Sequence, residues 1–259
     1  MYIDSHCHFD FDVFDERRDA LMKACLSAGV SGFLVPGVKR SSWSKLSNLQ
    51  QGYSQWRVAY GLHPYFLSES ADDDLGYLGD QCEGGNAIAI GEIGLDNWPG
   101  SFDMAVQISI FCQQLSIAKS LKLAVIIHAR KSYDLVFKCL RKTGFQHGGV
   151  IHAFNGSVEQ AKRFIDLGFV LGIGGTITYP RAKKAHRTLT MLDKEAFVLE
   201  TDSPDMPLCG RQGEINTPLS VIDVAKHVAS LKSMTVEEVA NQANKNLLTV
   251  FPKWNEDVF

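Results

Sequence analysis

The chain has 259 residues, 45% of them hydrophobic, and a formal net charge of −3. That length and core-forming content fit one domain spanning residues 1–259. The mild negative charge excludes a surface that holds nucleic acid by bulk electrostatics, though not a basic patch or a metal in a cleft. No apolar run approaches the ~20 residues of a membrane span, and no secretory leader pattern opens the sequence. Six cysteines without Cys-x-x-Cys spacing read as reduced thiols, so a cytoplasmic protein without membrane contact is expected.

The first predicted strand, 2–5, runs into His6-Cys7-His8. Side chains at i and i+2 share a strand face, so His6 and His8 project together and Cys7 points away. A helical stripe of Val13, Phe14, Arg17, Leu21, Ala24, Cys25 and Ala28 stops at Gly29. Strands at 32–35 and 57–60 follow, the latter trailed by His63, and a strand at 87–90 precedes Glu92. A long helix over 102–121 leads to a strand at 124–127 ending on His128, and a strand at 149–151 ends on His152. Ser157-x-x-Gln160 forms a capping box for a helix that stops near Gly168. After a strand at 169–173 comes a basic run, Arg181, Lys183, Lys184, His186 and Arg187; the last strand, 197–200, leads to Asp202. Two helices close the chain, the second opened by the capping box Thr235-x-x-Glu238.

Eight apolar strands alternating with helices, without a linker or internal repeat, predict a (β/α)8 TIM barrel. A doubly wound sheet is the rival, but Gly172-x-Gly174-Gly175 is too short and too late for a dinucleotide fingerprint. Barrel sites form at the C-terminal strand ends, and those ends carry His6, His8, His63, Glu92, His128, His152 and Asp202. One histidine in such a place is more often a packing residue; so many at one mouth predict a metal site. Without His63 the set still holds four histidines and two carboxylates, more than one tetrahedral catalytic ion takes. Glu92, midway round the barrel, is the natural bridge for two divalent ions. The imidazoles favour Zn or Mn over Mg by ligand type.

The motifs His6-Cys7-His8-Phe9-Asp10, Gly61-Leu62-His63-Pro64, Gly91-Glu92-Ile93-Gly94-Leu95-Asp96, Ile127-His128-Ala129-Arg130, His152-Ala153-Phe154-Asn155-Gly156 and Leu199-Glu200-Thr201-Asp202-Ser203-Pro204 span nearly the whole chain. In order and spacing they resemble the TatD family of metal-dependent hydrolases and deoxyribonucleases, which are amidohydrolase-type metal barrels. The stretches 174–181 and 204–207 are more similar to the YjjV-like branch. The resemblance implies His6, His8, Glu92 and Asp202 around one ion, and Glu92, His128 and His152 around a second. It also associates the family's nucleases with Mg, and implies a 3′-to-5′ exonuclease acting on single-stranded DNA.

Mechanistic roles follow from these parts. Asp202 is the candidate general base and, with Glu92, the catalytic pair. His63, Arg130 and Arg181 are candidate substrate-binding residues, Arg130 for its phosphate-matching fork. Asp96 is placed to orient a ligand histidine, and Phe9, Phe154 and Tyr179 are candidates for stacking on bases. A monomer acting on DNA or another phosphodiester is the leading expectation. A hydrolase of a carbonyl centre (amide, lactone or aminoacyl-tRNA ester) is the alternative, and a catalytically silent metal-binding scaffold the third.

Overall fold

A computed structural model describes residues 1–71, 73–84 and 86–255. Eight parallel strands pair in sequence order: β1 Tyr2–Asp4, β2 Val30–Pro36, β3 Trp56–Tyr60, β4 Ala87–Asp96, β5 Ala124–Arg130, β6 Gly149–Ile151, β7 Phe169–Ile173 and β8 Phe197–Leu199. The last strand returns to the first, where Ser5 N donates to Leu199 O (2.9 Å) and Asp202 N to His6 O (2.9 Å). The result is the (β/α)8 barrel expected from the sequence. Among the described residues, no helix is long and apolar enough to cross a membrane.

The helices are α1 Arg18–Ser27, α2 Arg40–Gly52, α3 Asp74–Glu83, α4 Met104–Leu121, α5 Tyr133–Thr143, α6 Val158–Ile165, α7 Lys183–Met191, α8 Val221–Lys232 and α9 Val236–Val250. Both capping boxes form. Ser157 accepts from Gln160 N and Thr235 accepts from Glu238 N, with the reciprocal side-chain bonds present. The first helix begins later than its apolar stripe, because Asp12–Phe14 forms a separate turn before Arg18.

Two apolar layers hold the barrel. One cluster draws on every strand, with Ile3, Leu34, Ala59, Ile126, Val150, Val170 and Val198 among its members, and adds Leu247, Phe251 and Trp254 from the C-terminal segment. Residues from all eight strands can meet only on the inner face, so this cluster fills the barrel, and α9 with the turn after it joins that filling. The larger cluster lies between strands and helices. Each fully buried large apolar side chain contributes ~1.5–3 kcal/mol.

Strand β4 departs most from the sequence reading. It continues six residues past Ile90, where the sequence reading ends it, to Asp96. Its pairing with β5 is irregular between Ile90 and Ile93, and Glu92 sits in that gap. The backbone there is crowded. A Cβ on Gly91 would lie 2.6 Å from Ile126 Cβ, and one on Gly61 would lie 2.7 Å from Glu92 O. Glycine is therefore required on both sides of the glutamate for it to be seated.

Candidate metal centre

Glu92 is 2% exposed, and its two oxygens face two groups of side chains. Around Oε2 lie His6 Nε2 (3.2 Å) and His8 Nε2 (3.4 Å), both reached also by Asp202 Oδ1 at 3.4 and 3.6 Å. Around Oε1 lie His63 Nε2 (3.3 Å), His128 Nδ1 (3.2 Å) and His152 Nε2 (3.3 Å). The six residues expected as ligands from the sequence are brought together, and His63 joins them more closely than its assignment to substrate implied. His152 sits between the two groups, close enough to His6 and Asp202 to share an ion with them.

The donor set fits divalent metal. His6 Nε2 and Glu92 Oε1 are buried without a hydrogen-bond partner, which is costly unless a cation meets them. Separations of 3.2–3.6 Å between donor atoms match the edges of a tetrahedron with bonds of about 2.0–2.2 Å. Imidazole nitrogens with carboxylate oxygens suit Zn or a neighbouring transition ion.

Charge is shared across the nest. Burial opposes the charge on Glu92 most strongly, yet His63, His152, His6 and His128 together hold its carboxyl well below the usual range. Burial likewise works against His6, but Glu92 and Asp202 raise it well above its ordinary value. His8 is raised as well, burial being outweighed mainly by Glu92. His128, against its own burial, is pushed up to about 9 by Asp96 and Glu92. Asp202 is lowered, the surrounding histidines outweighing desolvation. His63 goes the other way, down to about 4, because burial dominates.

Two histidines on the Oε1 side are hydrogen-bonded through their other nitrogen, and the third has a carboxylate nearby. His128 Nε2 lies 3.1 Å from Asp96 Oδ2, as the sequence reading of Asp96 anticipated. His152 Nδ1 lies 3.4 Å from Glu200 Oε1, which also accepts from Ala153 N. Tyr65 N donates to His63 Nδ1 (3.1 Å), so the neutral His63 ring carries its proton on Nε2, facing the site. Glu200 is fully buried, and Gly172 makes room for it: a Cβ there would stand 2.1 Å from Glu200 Oε2.

Helix α4 contributes two buried glutamines. Gln107 accepts from Asp96 N (2.8 Å) and donates to Asp96 O (3.0 Å). Gln114 does the same for Leu62 (2.8 and 3.1 Å), beside His63. Each amide thus substitutes for a neighbouring strand at a strand end. On the β1–β8 seam, buried Asp4 accepts from Thr201 N (3.0 Å), Thr201 Oγ1 (2.6 Å) and His6 N (3.3 Å). Sequence reasoning missed Glu200, Asp4 and both glutamines.

Three cavities share walls over the centre. The middle one, about 420 Å³, is lined by His8, His63, Glu92 and Asp202 among others. A cleft of about 910 Å³ opens from it past Arg130, Lys131, Asn155 and Lys184. Another of about 710 Å³ opens past Phe11, Val38 and Phe66. Arg130 lies over the Trp98 ring at 3.9 Å. Of the basic run, Lys184 lines the larger cleft, whereas exposed Arg181 lies over Tyr179 at 5.1 Å. Phe9 and Phe154 are buried core residues at 0% and 5% exposure and have no face left for a base.

Comparison with known proteins places this geometry. The family model for TatD related DNase matches residues 3–252. An Escherichia coli protein described as the uncharacterized metal-dependent hydrolase YjjV is 36% identical over 252 residues, covering 96% of this chain and 97% of its own. A metal-dependent hydrolase of Haemophilus influenzae is 34% identical, covering 96% of this chain and 99% of its own. The crystal structure of the E. coli TatD homolog YjjV superposes with a TM-score of 0.92 at 36% identity, over 97% of this chain and 98% of that one.

Proposed function

The chain belongs to the TatD family of metal-dependent hydrolases, and on that footing we propose that it hydrolyses phosphodiester bonds at the end of single-stranded DNA. Two divalent ions, one on each side of Glu92, would serve the reaction. The observation that carries this reading is the divided nest, in which each oxygen of one buried carboxylate faces its own set of histidines. The cationic cleft beside it supplies the preference for a phosphate chain over a neutral substrate.

Bound divalent ions supply Lewis-acid activation of water and of the scissile phosphoryl group. The protein's own groups divide the remaining work. His6, His8, Glu92 and Asp202 would hold one ion; Glu92, His128 and His152 would hold the other. Asp202, the most exposed carboxylate of the nest with 16% of its side chain accessible, is ionised at neutral pH because its carboxyl is lowered. It accepts the proton of the attacking water as oxygen bonds to phosphorus, then returns a proton to the sugar oxygen that leaves. His63, neutral with Nε2–H aimed inward, donates to a phosphoryl oxygen. Arg130 binds the next phosphate.

The test is a parallel screen of end-labelled single-stranded DNA, duplex DNA, RNA, carboxylic esters and amides, with Mg, Mn and Zn. Mononucleotide release from single strands, lost in Glu92→Gln, is the expected outcome. Turnover of esters or amides with no nucleotide released would move the chemistry to a carbonyl centre. Inertness toward every substrate with stably bound metal would make the chain a scaffold.

A further inference from the structure

The two clefts that leave the central cavity differ in their free cations, and the difference bears on which part of a strand each receives. The larger presents Arg130, Lys131 and Lys184, none of them in an ion pair among the described residues. In the smaller both cations are already engaged: Lys39 Nζ meets Glu69 (2.8 Å), and Lys45 Nζ meets Asp12 (2.6 Å) and Asp15 (2.8 Å). Asp10 and Glu214 are further carboxylates of this cleft alone, while Asp205 lines both.

The walls of the smaller cleft are otherwise apolar, and they are aligned on the reacting centre. Phe11 stacks on His8 with centroids 4.7 Å apart and planes 18° from parallel. Phe66 meets His63 edge-on at 6.0 Å. Both rings also line the central cavity. Pro204 and Pro207 form another part of the wall, and their loop is braced. Buried Asn216 Nδ2 donates to Asp205 O (2.9 Å), and Tyr179 Oη donates to Pro207 O (2.8 Å).

A strand cut one nucleotide from its end is asymmetric in the same sense. On the inner side every residue carries another phosphate. On the outer side there is one nucleoside, whose only phosphate is the one under attack. Resting on the phosphodiesterase reading, we infer that the Phe11–Phe66 cleft receives the base of the terminal nucleotide, while the remaining strand leaves through the Arg130–Lys184 cleft. A flat ring with amino groups on its edge suits aromatic walls rimmed by carboxylates. A phosphate placed there is repelled by them. The cleft therefore selects an end that has a base and lacks a terminal phosphate.

The experiment uses one single-stranded oligonucleotide in three forms: natural, with an abasic residue at the cleaved end, and with a phosphate on that end. For wild type, the abasic form should raise KM by roughly 10–100-fold, the range that stacking of one base supplies, with kcat little changed. The terminal phosphate should slow release at least as much. Phe66→Ala should show nearly the same KM for natural and abasic ends. Equal KM values in wild type, or preference for the phosphorylated end, would overturn the assignment while leaving phosphodiester hydrolysis intact. A binding measurement stands apart from activity: the metal-loaded wild type is titrated into oligonucleotides with a non-hydrolysable linkage at the cleaved position, bearing 2-aminopurine at the terminal or at the fourth position. A fluorescence change confined to the terminal probe and lost on adding Phe66→Ala supports the cleft. The same change at both positions, or none, refutes it, even if no substrate is ever cleaved.

Discussion

The two sides of Glu92 are built by different means. On the Oε1 side two histidines are oriented through their outer ring nitrogens, His128 by Asp96 and His63 by the Tyr65 amide, while His152 Nδ1 lies 3.4 Å from Glu200 Oε1 without a hydrogen bond. On the Oε2 side His6 Nδ1 and His8 Nδ1 are buried with no hydrogen-bond partner, and the backbone does the orienting. His6 N bonds Asp4, His6 O accepts from Asp202 N, and His8 N donates to Ser203 O (2.7 Å). One half of the centre thus depends on outer carboxylates that can be changed singly. The other depends on the seam that closes the barrel, where position and stability are one property. Substitutions at the shared glutamate, on the seam and at the outer carboxylates should separate the two.

Glu92→Gln touches both sides and has the largest expected effect. The nest would keep its imidazoles but lose the charge that draws two cations together. Metal analysis should find both ions depleted. Turnover should fall well beyond the ~10–100-fold that losing an outer partner costs. Retention of one tightly held ion would mean that the sides do not share the glutamate.

Asp4→Ala tests the seam. It removes the acceptor from His6 N, Thr201 N and Thr201 Oγ1; Thr201 N keeps His6 O at 3.4 Å and Thr201 Oγ1 keeps Ser203 Oγ at 3.1 Å, so His6 N is the donor left unpaired, at ~1–3 kcal/mol. A loss of roughly 1–3 kcal/mol lowers the melting temperature by about 2–12 °C, and the Oε2-side ion weakens with it. In Asp4→Asn the side-chain oxygen still accepts from the two amides, so that variant should melt near wild type. If Asp4→Ala changes metal affinity but not melting, position and stability are separable on the seam after all.

Asp96→Asn and Glu200→Gln test the other half. Each should weaken metal on the Oε1 side by ~10–100-fold, leaving the Oε2-side ion nearly unchanged. Titration with a competing chelator resolves the two affinities. Equal weakening of both ions by either variant would erase the distinction.

The same contrast explains what the sequence made legible. His6, His8, His63, Glu92, His128, His152 and Asp202 stand at strand ends, and a barrel gathers strand ends at one mouth; position along the chain was enough. Gln107 and Gln114 lie seven apart on an amphipathic helix, where glutamine ordinarily reads as solvent-facing, and only the packed helix shows both turned inward. Glu200 is two residues from Asp202 and adjacent to the same strand end, so its burial behind Gly172 has no sequence signal. The strand through Glu92 was under-read because its glycines mimic a loop. Arg181 is legible as basic but not in its placement: it precedes α7, whereas Lys184 stands in the first turn of that helix and lines the cleft.

Proton competition gives the finest test of the comparison. In the metal-free protein His6 and His8 on the Oε2 side are both raised. On the Oε1 side His128 is raised to about 9 while His63 is lowered to about 4. An imidazole must shed its proton to bind metal, so apparent affinity should climb with pH on both sides, the Oε1 side levelling off near 9 where His128 titrates. Two displaced protons on the Oε2 side give about 100-fold per pH unit, whereas His128 alone gives about tenfold. Stability runs oppositely without metal. A raised imidazole stabilises the fold fully below its unfolded value near 6.5 and loses that contribution as pH rises through the folded value. The metal-free protein should therefore lose stability from pH 6.5 to 9, while the metal-loaded protein gains it. Melting curves at pH 6.5, 7.5 and 9, with and without chelator, read both slopes. Parallel slopes would mean that the imidazoles hold no protons for the metal to displace, and the charge pattern assigned to the nest would be wrong.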